Sequence, residues 1–357
     1  MTNNNELNPQ DFYMPAEWEK HEGTWFQWPN GLLDPMRELK VENTWFKMVG
    51  ALHKYENVHI TVEDEKQLEH VRDQFIYFGI GLDNIDFHII PTNEPFARDN
   101  APIFVVDGKG NQAITNWGFN GWGGRSAHEL DEKVPEKIAE LLSIPMFTPP
   151  LIMEGGGFEV NGKGTFMACR TSIMNDNRNP GKSQEEVEAI IKKYLGIKHF
   201  IWLSGAGLEA EQWGDVTDSH IDIVARFVGE SSVLYNWTDD ETDPRYNLFK
   251  KTYNELKEAT TESGEKLTLI PLPVPKVYRI SPLVDWATTT FTDGAYSNYL
   301  VANNVVLVPV FGHENDEKAK QVIAECFPGR EVIGIQCVEL TEEGGAIHCV
   351  TQQQPAV

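Results

Sequence analysis

A short β-hairpin followed by a helix and a further strand recurs along this chain, although no two copies share a recognisable sequence repeat. Residues 57–63 read as a strand through the β-branched Val58, Ile60, Thr61 and Val62. Residues 66–77 read as a helix carrying Leu68, Val71 and Phe75, and residues 85–91 again as a strand. Segments 103–106 and 112–115 then flank Asp107-Gly108, a hairpin signal. The order returns at 158–160 and 165–168 around Asn161-Gly162. There a helix opens on a capping box, Ser183 with Glu186, and closes on Gly196 as a left-handed C-cap before a strand at 200–203. It returns at 221–228 and 232–235 around Gly229-Glu230, with a helix through Leu248, Tyr253 and Leu256 and a strand at 267–272. A further copy places 297–302 and 305–310 around Asn303-Asn304, then a helix through Ala319, Val322 and Ile323 and a strand at 332–335. The period is roughly 60 residues, and solenoid repeats of such length usually stay self-similar in sequence. A ring needs no capping repeats, and strand-like segments at 24–28 and 347–353 are placed to complete one.

Four polar runs fall at the same point of this repeat, just before the first strand of the hairpin. They are Arg98-Asp99-Asn100, Glu154-Gly155-Gly156, Asp218-Ser219-His220-Ile221-Asp222 and Gly344-Gly345-Ala346-Ile347-His348-Cys349. In modules set around an axis, equivalent positions converge, which brings Asp99, Glu154, His220, Asp222 and Cys349 together. As a set these types make chemical sense. A cysteine is a nucleophile once its thiolate is stabilised, a histidine moves protons near neutral pH, and a glutamate can orient the imidazole. Two further aspartates suit a planar cation, because carboxylates bind guanidinium through paired hydrogen bonds. Singly, each residue has a plainer reading: an inert core thiol at Cys349, a metal pair on one strand face at His220 and Asp222, a strained turn at Glu154, a turn former at Asp99.

Composition narrows the partners. Asp and Glu number 54 against 30 Lys and Arg, a net charge of −24, which repels nucleic acid and anionic lipid and favours small cations. The 357 residues hold no run of about 18 apolar residues and no leader-like start, so neither a membrane span nor a secretory signal is expected, and a cytoplasmic setting is. Cys169, Cys326, Cys337 and Cys349 form no C-x-x-C pair, which argues against a disulfide framework or a zinc ribbon.

At these same residues the chain resembles the agmatine deiminase family of the guanidino-group-modifying (pentein) superfamily. The resemblance rests on 14–25 (Met-Pro-Ala-Glu-Trp-Glu-x-His-Glu-x-Thr-Trp), on Phe119-Asn120-Gly121-Trp122-Gly123-Gly124, on Asn177-Arg178-Asn179-Pro180 and on 344–355. It implies a single catalytic domain over 1–357, an α/β propeller built as a pseudo-fivefold ring of hairpin–helix–strand units. It implies Cys349 as nucleophile, His220 as acid/base, Glu154 hydrogen-bonded to that histidine, and Asp99 and Asp222 gripping the guanidinium. Phe96, where the family has Trp, and Trp122 are expected to line the substrate pocket, with Trp213 as a further wall. The loop 204–218 is longer than usual, Ser219 replaces the usual Gly, and its acidic residues Glu209, Glu211, Asp215 and Asp218 are expected at the pocket's outer end. The implied reaction hydrolyses agmatine to N-carbamoylputrescine plus ammonia, a step of putrescine biosynthesis, with no metal or redox cofactor. Peptidyl-arginine or another guanidino compound is the alternative substrate; an amidinotransferase and a non-catalytic guanidinium binder are the other readings. The expected partner is a small cationic guanidino compound, with no nucleic acid and no membrane, and a homodimer as the assembly.

Overall fold

Short runs of β-branched and aromatic residues, each closed by a turn, form small sheets here rather than one large one. The computed structural model describes residues 7–30, 35–206, 215–276, 278–279, 291–292 and 294–357. Its strands are β1 (His21–Gln27), β2 (Asn57–Val62), β3 (Ile85–Ile89), β4 (Ile103–Val106), β5 (Gln112–Thr115) and β6 (Met146–Phe147). There follow β7 (Phe158–Val160), β8 (Thr165–Cys169), β9 (His199–Leu203), β10 (Ala225–Phe227), β11 (Ser232–Trp237) and β12 (Thr268–Pro273). The remainder are β13 (Tyr278–Arg279), β14 (Phe291–Thr292), β15 (Leu300–Ala302), β16 (Val305–Val310), β17 (Glu331–Gln336) and β18 (Thr351–Pro355).

Five sheets share one plan. In the orders β4-β5-β6, β7-β8-β9, β10-β11-β12 and β15-β16-β17, an antiparallel pair is extended by a parallel strand. The fifth, β18-β1-β2-β3, builds its antiparallel pair from segments more than three hundred residues apart. Parallel neighbours need a crossover connection, and helices supply it: Pro35–Leu52, Val134–Leu142, Gln184–Leu195, Tyr246–Glu258 and Asp316–Cys326, with Glu65–Tyr77 leading to β3. The capping box appears as read. Ser183 Oγ accepts from Glu186 N at 3.3 Å, Ser183 N donates to Glu186 Oε2 at 2.8 Å, and Gly196 closes the helix at φ +69°. At that C-cap an added Cβ would lie 2.6 Å from Tyr13 Cβ, so the left-handed glycine is also sterically required. Among the described residues, no helix is long and apolar enough to cross a membrane.

The strand expectations fail in one consistent way. Residues 221–223 were read as the start of a strand but form a single 3-10 turn, and β10 is only Ala225–Phe227. Residues 297–299 and 347–350 likewise precede β15 and β18 rather than belonging to them. The reason is geometric: a strand sends successive side chains to opposite faces, whereas a tight turn lets several polar groups point to one place. The largest apolar cluster, which includes Trp45, Val58 and Leu307, reaches Phe96, Trp122 and Cys349, so these three rest on packed core.

Candidate active site

Each polar run before a hairpin is a tight turn or bend. Ala97–Asn100 is one helical turn, Gly155–Gly157 and Ile221–Ile223 are 3-10 turns, and Cys349 lies two residues ahead of β18. These turns bring the five expected residues together. His220 Nδ1 is 3.7 Å from Asp99 Oδ1, His220 Nε2 is 3.7 Å from Glu154 Oε2, and Cys349 Sγ is 3.8 Å from Asp222 Oδ2. Gly156 sits at their meeting point. A Cβ there would lie 2.6 Å from His220 Nδ1, 2.9 Å from Asp99 Oδ1 and 3.1 Å from Asp222 Oδ2, so only glycine allows the approach. The cluster opens onto a cavity of about 190 Å³ that Asp99, Cys349, Phe96 and Trp122 help to line.

Hydrogen bonding separates the fixed atoms from the available ones. Asp99 takes the Trp122 indole N–H on Oδ2 at 2.9 Å and the Gly156 amide on Oδ1 at 3.1 Å. To deliver that indole, Trp122 adopts φ +54° between glycines that also have positive φ. Its ring meets Phe96 edge-on at 5.5 Å. Both ring nitrogens of His220 and Oδ1 of Asp222 are buried without a protein hydrogen-bond partner, a costly state for polar atoms unless a ligand uses them.

The hydrogen bond expected from the His220 ring to Glu154 is not made: Nε2 and Oε2 stand 3.7 Å apart, an ion pair. Both Glu154 oxygens instead accept from Arg178 Nε, at 2.7 and 2.9 Å, and Arg178 passes the link on to Asp218 Oδ2 at 2.6 Å. Burial works against the charge of Glu154, but Arg178 and His220 hold its carboxyl below the usual value. Burial likewise opposes a charged His220, yet Asp99, Glu154 and Asp222 raise it to about 9. Burial and then the carboxylates of Asp222 and Asp99 push the Cys349 thiol well above its ordinary value.

The sequence reading missed three groups. His348 bridges Asp222 Oδ2 at 2.7 Å and Glu17 Oε2 at 2.8 Å. Asn298 donates to both Asp222 Oδ2 and Cys349 Sγ, each at 3.1 Å. Arg178 clamps Glu154. Only Asn298 had a usable signal, for Ser297-Asn298 stands before the β15–β16 pair where the other four runs stand before their own antiparallel pairs. Glu17, Glu159 and His348 place three ligand-type atoms within 4.8 Å of one another. Arg226 lies among them, donating to Glu159 and, at 2.7 Å, to Glu17 Oε2, so a guanidinium already supplies the positive charge.

The outer end of the cavity differs from expectation. Glu209, Glu211 and Trp213 lie outside the described residues. Asp218 is bound by Arg125, Arg178 and Asn177, and Asp215 by Thr217 and Ser219, so neither points freely outward. Ser219 has φ +72°, the conformation glycine favours, and Asp215 Oδ2 secures its amide at 2.8 Å. The cavity lining also includes Glu94, Glu343 and Arg125, and Arg125 donates to both oxygens of Asp218. Burial, Asp131 and Glu343 raise Glu94 to about 7.

Known proteins bear on this geometry. The chain is 33% identical to an agmatine deiminase of Medicago truncatula, over 97% of each chain. Its fold matches an agmatine deiminase of Enterococcus faecalis with a TM-score of 0.87 at 27% identity, covering 99% of this chain and 98% of the other. A substrate-bound agmatine deiminase of C. jejuni gives 0.84 at 25% identity over 96% of both. The sequence profile of the Porphyromonas-type peptidyl-arginine deiminases matches residues 13–355. A match that runs from Tyr13, bridged to Val106, to the end of β18 at Pro355 leaves none of the described sheets outside it, and the chain belongs to the Porphyromonas-type peptidyl-arginine deiminase family.

Proposed function

We propose that this chain is a hydrolase that converts a guanidino group to a ureido group plus ammonia, with agmatine as substrate and N-carbamoylputrescine as product. In this reading it is one catalytic unit, a pseudo-fivefold ring of modules with the site on its axis. The observation that carries it is a buried cysteine beside Asp222, in one cluster with His220 and Asp99, in which both His220 ring nitrogens and Asp222 Oδ1 are unused by the protein.

Asp99 and Asp222 take the planar cation through its N–H groups. The bound positive charge offsets the two carboxylates that hold the Cys349 thiol protonated, and the thiol proton leaves to solvent. The thiolate attacks the central carbon, forming the C–S bond and a neutral tetrahedral adduct. His220, cationic below about pH 9, gives its proton to one nitrogen, which departs as ammonia and leaves an amidino-cysteine cation. Now neutral, His220 takes a proton from water as the oxygen bonds to carbon. Collapse breaks the C–S bond, frees the thiolate and sheds the hydroxyl proton to solvent, giving the ureido product.

Cavity size and charge support agmatine. About 190 Å³ is below the roughly 300–1,000 Å³ of sites for drug-sized ligands, which suits a small guanidine better than a peptide. Glu94, ionised above about pH 7, favours an ammonium over a carboxylate in the cavity. A partly desolvated like-charge contact costs a few kcal/mol, and about 1.4 kcal/mol is a tenfold preference, so agmatine is expected to exceed free arginine at least about a hundredfold in kcat/KM. Ammonia release from agmatine, arginine and a blocked arginine ester tests this, with Cys349→Ser as the inactive control. Preference for the ester refutes the agmatine assignment; release by Cys349→Ser refutes the nucleophile.

A further inference from the structure

Asn298 occupies, ahead of the β15-β16-β17 sheet, the place that Asp99, Glu154, His220–Asp222 and Cys349 occupy ahead of the other four. It is 1% exposed, and all four hydrogen-bonding positions of its side chain are used. Nδ2 donates to Cys349 Sγ and to Asp222 Oδ2, both at 3.1 Å. Oδ1 accepts from the backbone amides of His348 at 3.0 Å and Cys349 at 3.3 Å. This set fixes the amide's orientation, since only its nitrogen can face a carboxylate and only its oxygen can face two N–H groups.

We propose that Asn298 is a catalytic residue, one N–H stabilising the Cys349 thiolate while the other holds Asp222, so that nucleophile and substrate-gripping carboxylate share one frame. The word catalytic rests on the deiminase reading above; the contact to sulfur does not.

The need for such a donor follows from the surroundings of the sulfur. Cys349 is buried, and the Asp222 carboxylate lies 3.8 Å from its sulfur, so forming a thiolate here is uphill. A hydrogen bond to an ionised acceptor is stronger than one to a neutral acceptor, so the Asn298 N–H favours the thiolate over the thiol. Its partners on the oxygen side belong to the same segment as the nucleophile, so the donor is in position before charge develops, without reorganisation. The second N–H keeps Asp222 Oδ2 engaged and leaves Oδ1 as the atom available to a cation.

The test is alkylation of Cys349 by iodoacetamide as a function of pH, on the full chain without substrate. Mass spectrometry reads the site, and Cys349→Ser is the blank. Asn298→Ala is expected to move the alkylation midpoint up by at least about one pH unit, a tenfold smaller thiolate fraction below it. Asn298→Asp keeps the shape but replaces the donor with a carboxylate, and must suppress alkylation further. In turnover, Asn298→Ala is expected to lose at least about tenfold in kcat at pH 7.5 and to recover part of it at higher pH, which loss of packing alone would not produce. A folded Asn298→Ala or Asn298→Asp protein with the wild-type midpoint overturns the proposal. Where Ala does not fold, the isosteric Asp variant decides alone. Failure of the deiminase reading shows separately, as wild-type protein that releases no ammonia yet keeps the shifted alkylation in its variants.

Discussion

Replacing Arg178 with Met removes a guanidinium and leaves its stem. The side chain is fully buried between Glu154, itself 0% exposed, and Asp218. Without it, Glu154 loses both short hydrogen bonds and keeps only His220 at 3.7 Å. Asp218 keeps its paired bonds from Arg125, so the damage concentrates on Glu154. Breaking a buried pair by removing one partner costs about 3–5 kcal/mol, because the remaining charge is uncompensated. The loss should depend on pH with a definite sign. In the native protein the Glu154 carboxyl lies below its unfolded value, so its contribution is present above that value and fades as pH falls through the native one. In the variant, burial prevails and the carboxyl rises above the unfolded value, so the deficit is full at pH 7.5 and narrows towards about pH 4 as the group takes up a proton. Urea unfolding followed by tryptophan fluorescence at both pH values measures it. A loss under about 1 kcal/mol, or the same loss at both pH values, refutes the reasoning.

Trp122→Phe keeps the ring but removes the indole donor to Asp99, and is expected to raise KM about tenfold with a smaller effect on kcat, since a hydrogen bond to a charged group contributes about 1.5–3 kcal/mol; an unchanged KM would remove that oxygen from substrate binding. The His220 imidazole is expected to titrate near pH 9 by NMR, and Asp99→Asn, which removes a carboxylate that favours the cation, to lower the midpoint by at least about one unit. The raised value also means that the His220 charge stabilises the fold below about pH 6.5 and that this contribution is lost as pH rises through about 9, so the stability gap to His220→Gln should close over that range.

Much of the architecture was legible because local signals carry it. Asn303-Asn304 forms the two-residue turn between β15 and β16, with Asn304 at φ +58°, and Ser183 and Gly196 bound their helix as read. The convergence of Asp99, Glu154, His220, Asp222 and Cys349 was legible because equivalent positions in a repeat meet. What escaped was set by contacts between distant segments. Nothing near Arg178 announces Glu154, 24 residues away, and nothing near His348 announces Glu17, 331 residues away. Asn298 escaped for a different reason: its run was assigned to a strand, which hid a position that the repeat itself marks.

The pairing of β18 with β1 imposes an order in time. Synthesis proceeds at about 5–20 residues per second, and earlier segments begin to fold while later ones are still being made. Strand β1 is complete by Gln27, but its antiparallel partner begins at Thr351, and Trp25 Nε1 reaches Gln354 Oε1 across 329 positions. Throughout that interval one edge of β1 is unpaired, a template for the wrong partner. The same late segment carries Cys349, so its sulfur is added after Asp99, Glu154, His220 and Asp222. A nascent chain therefore holds the carboxylates and the histidine before the thiol, and closing the first sheet and completing the cluster are one event.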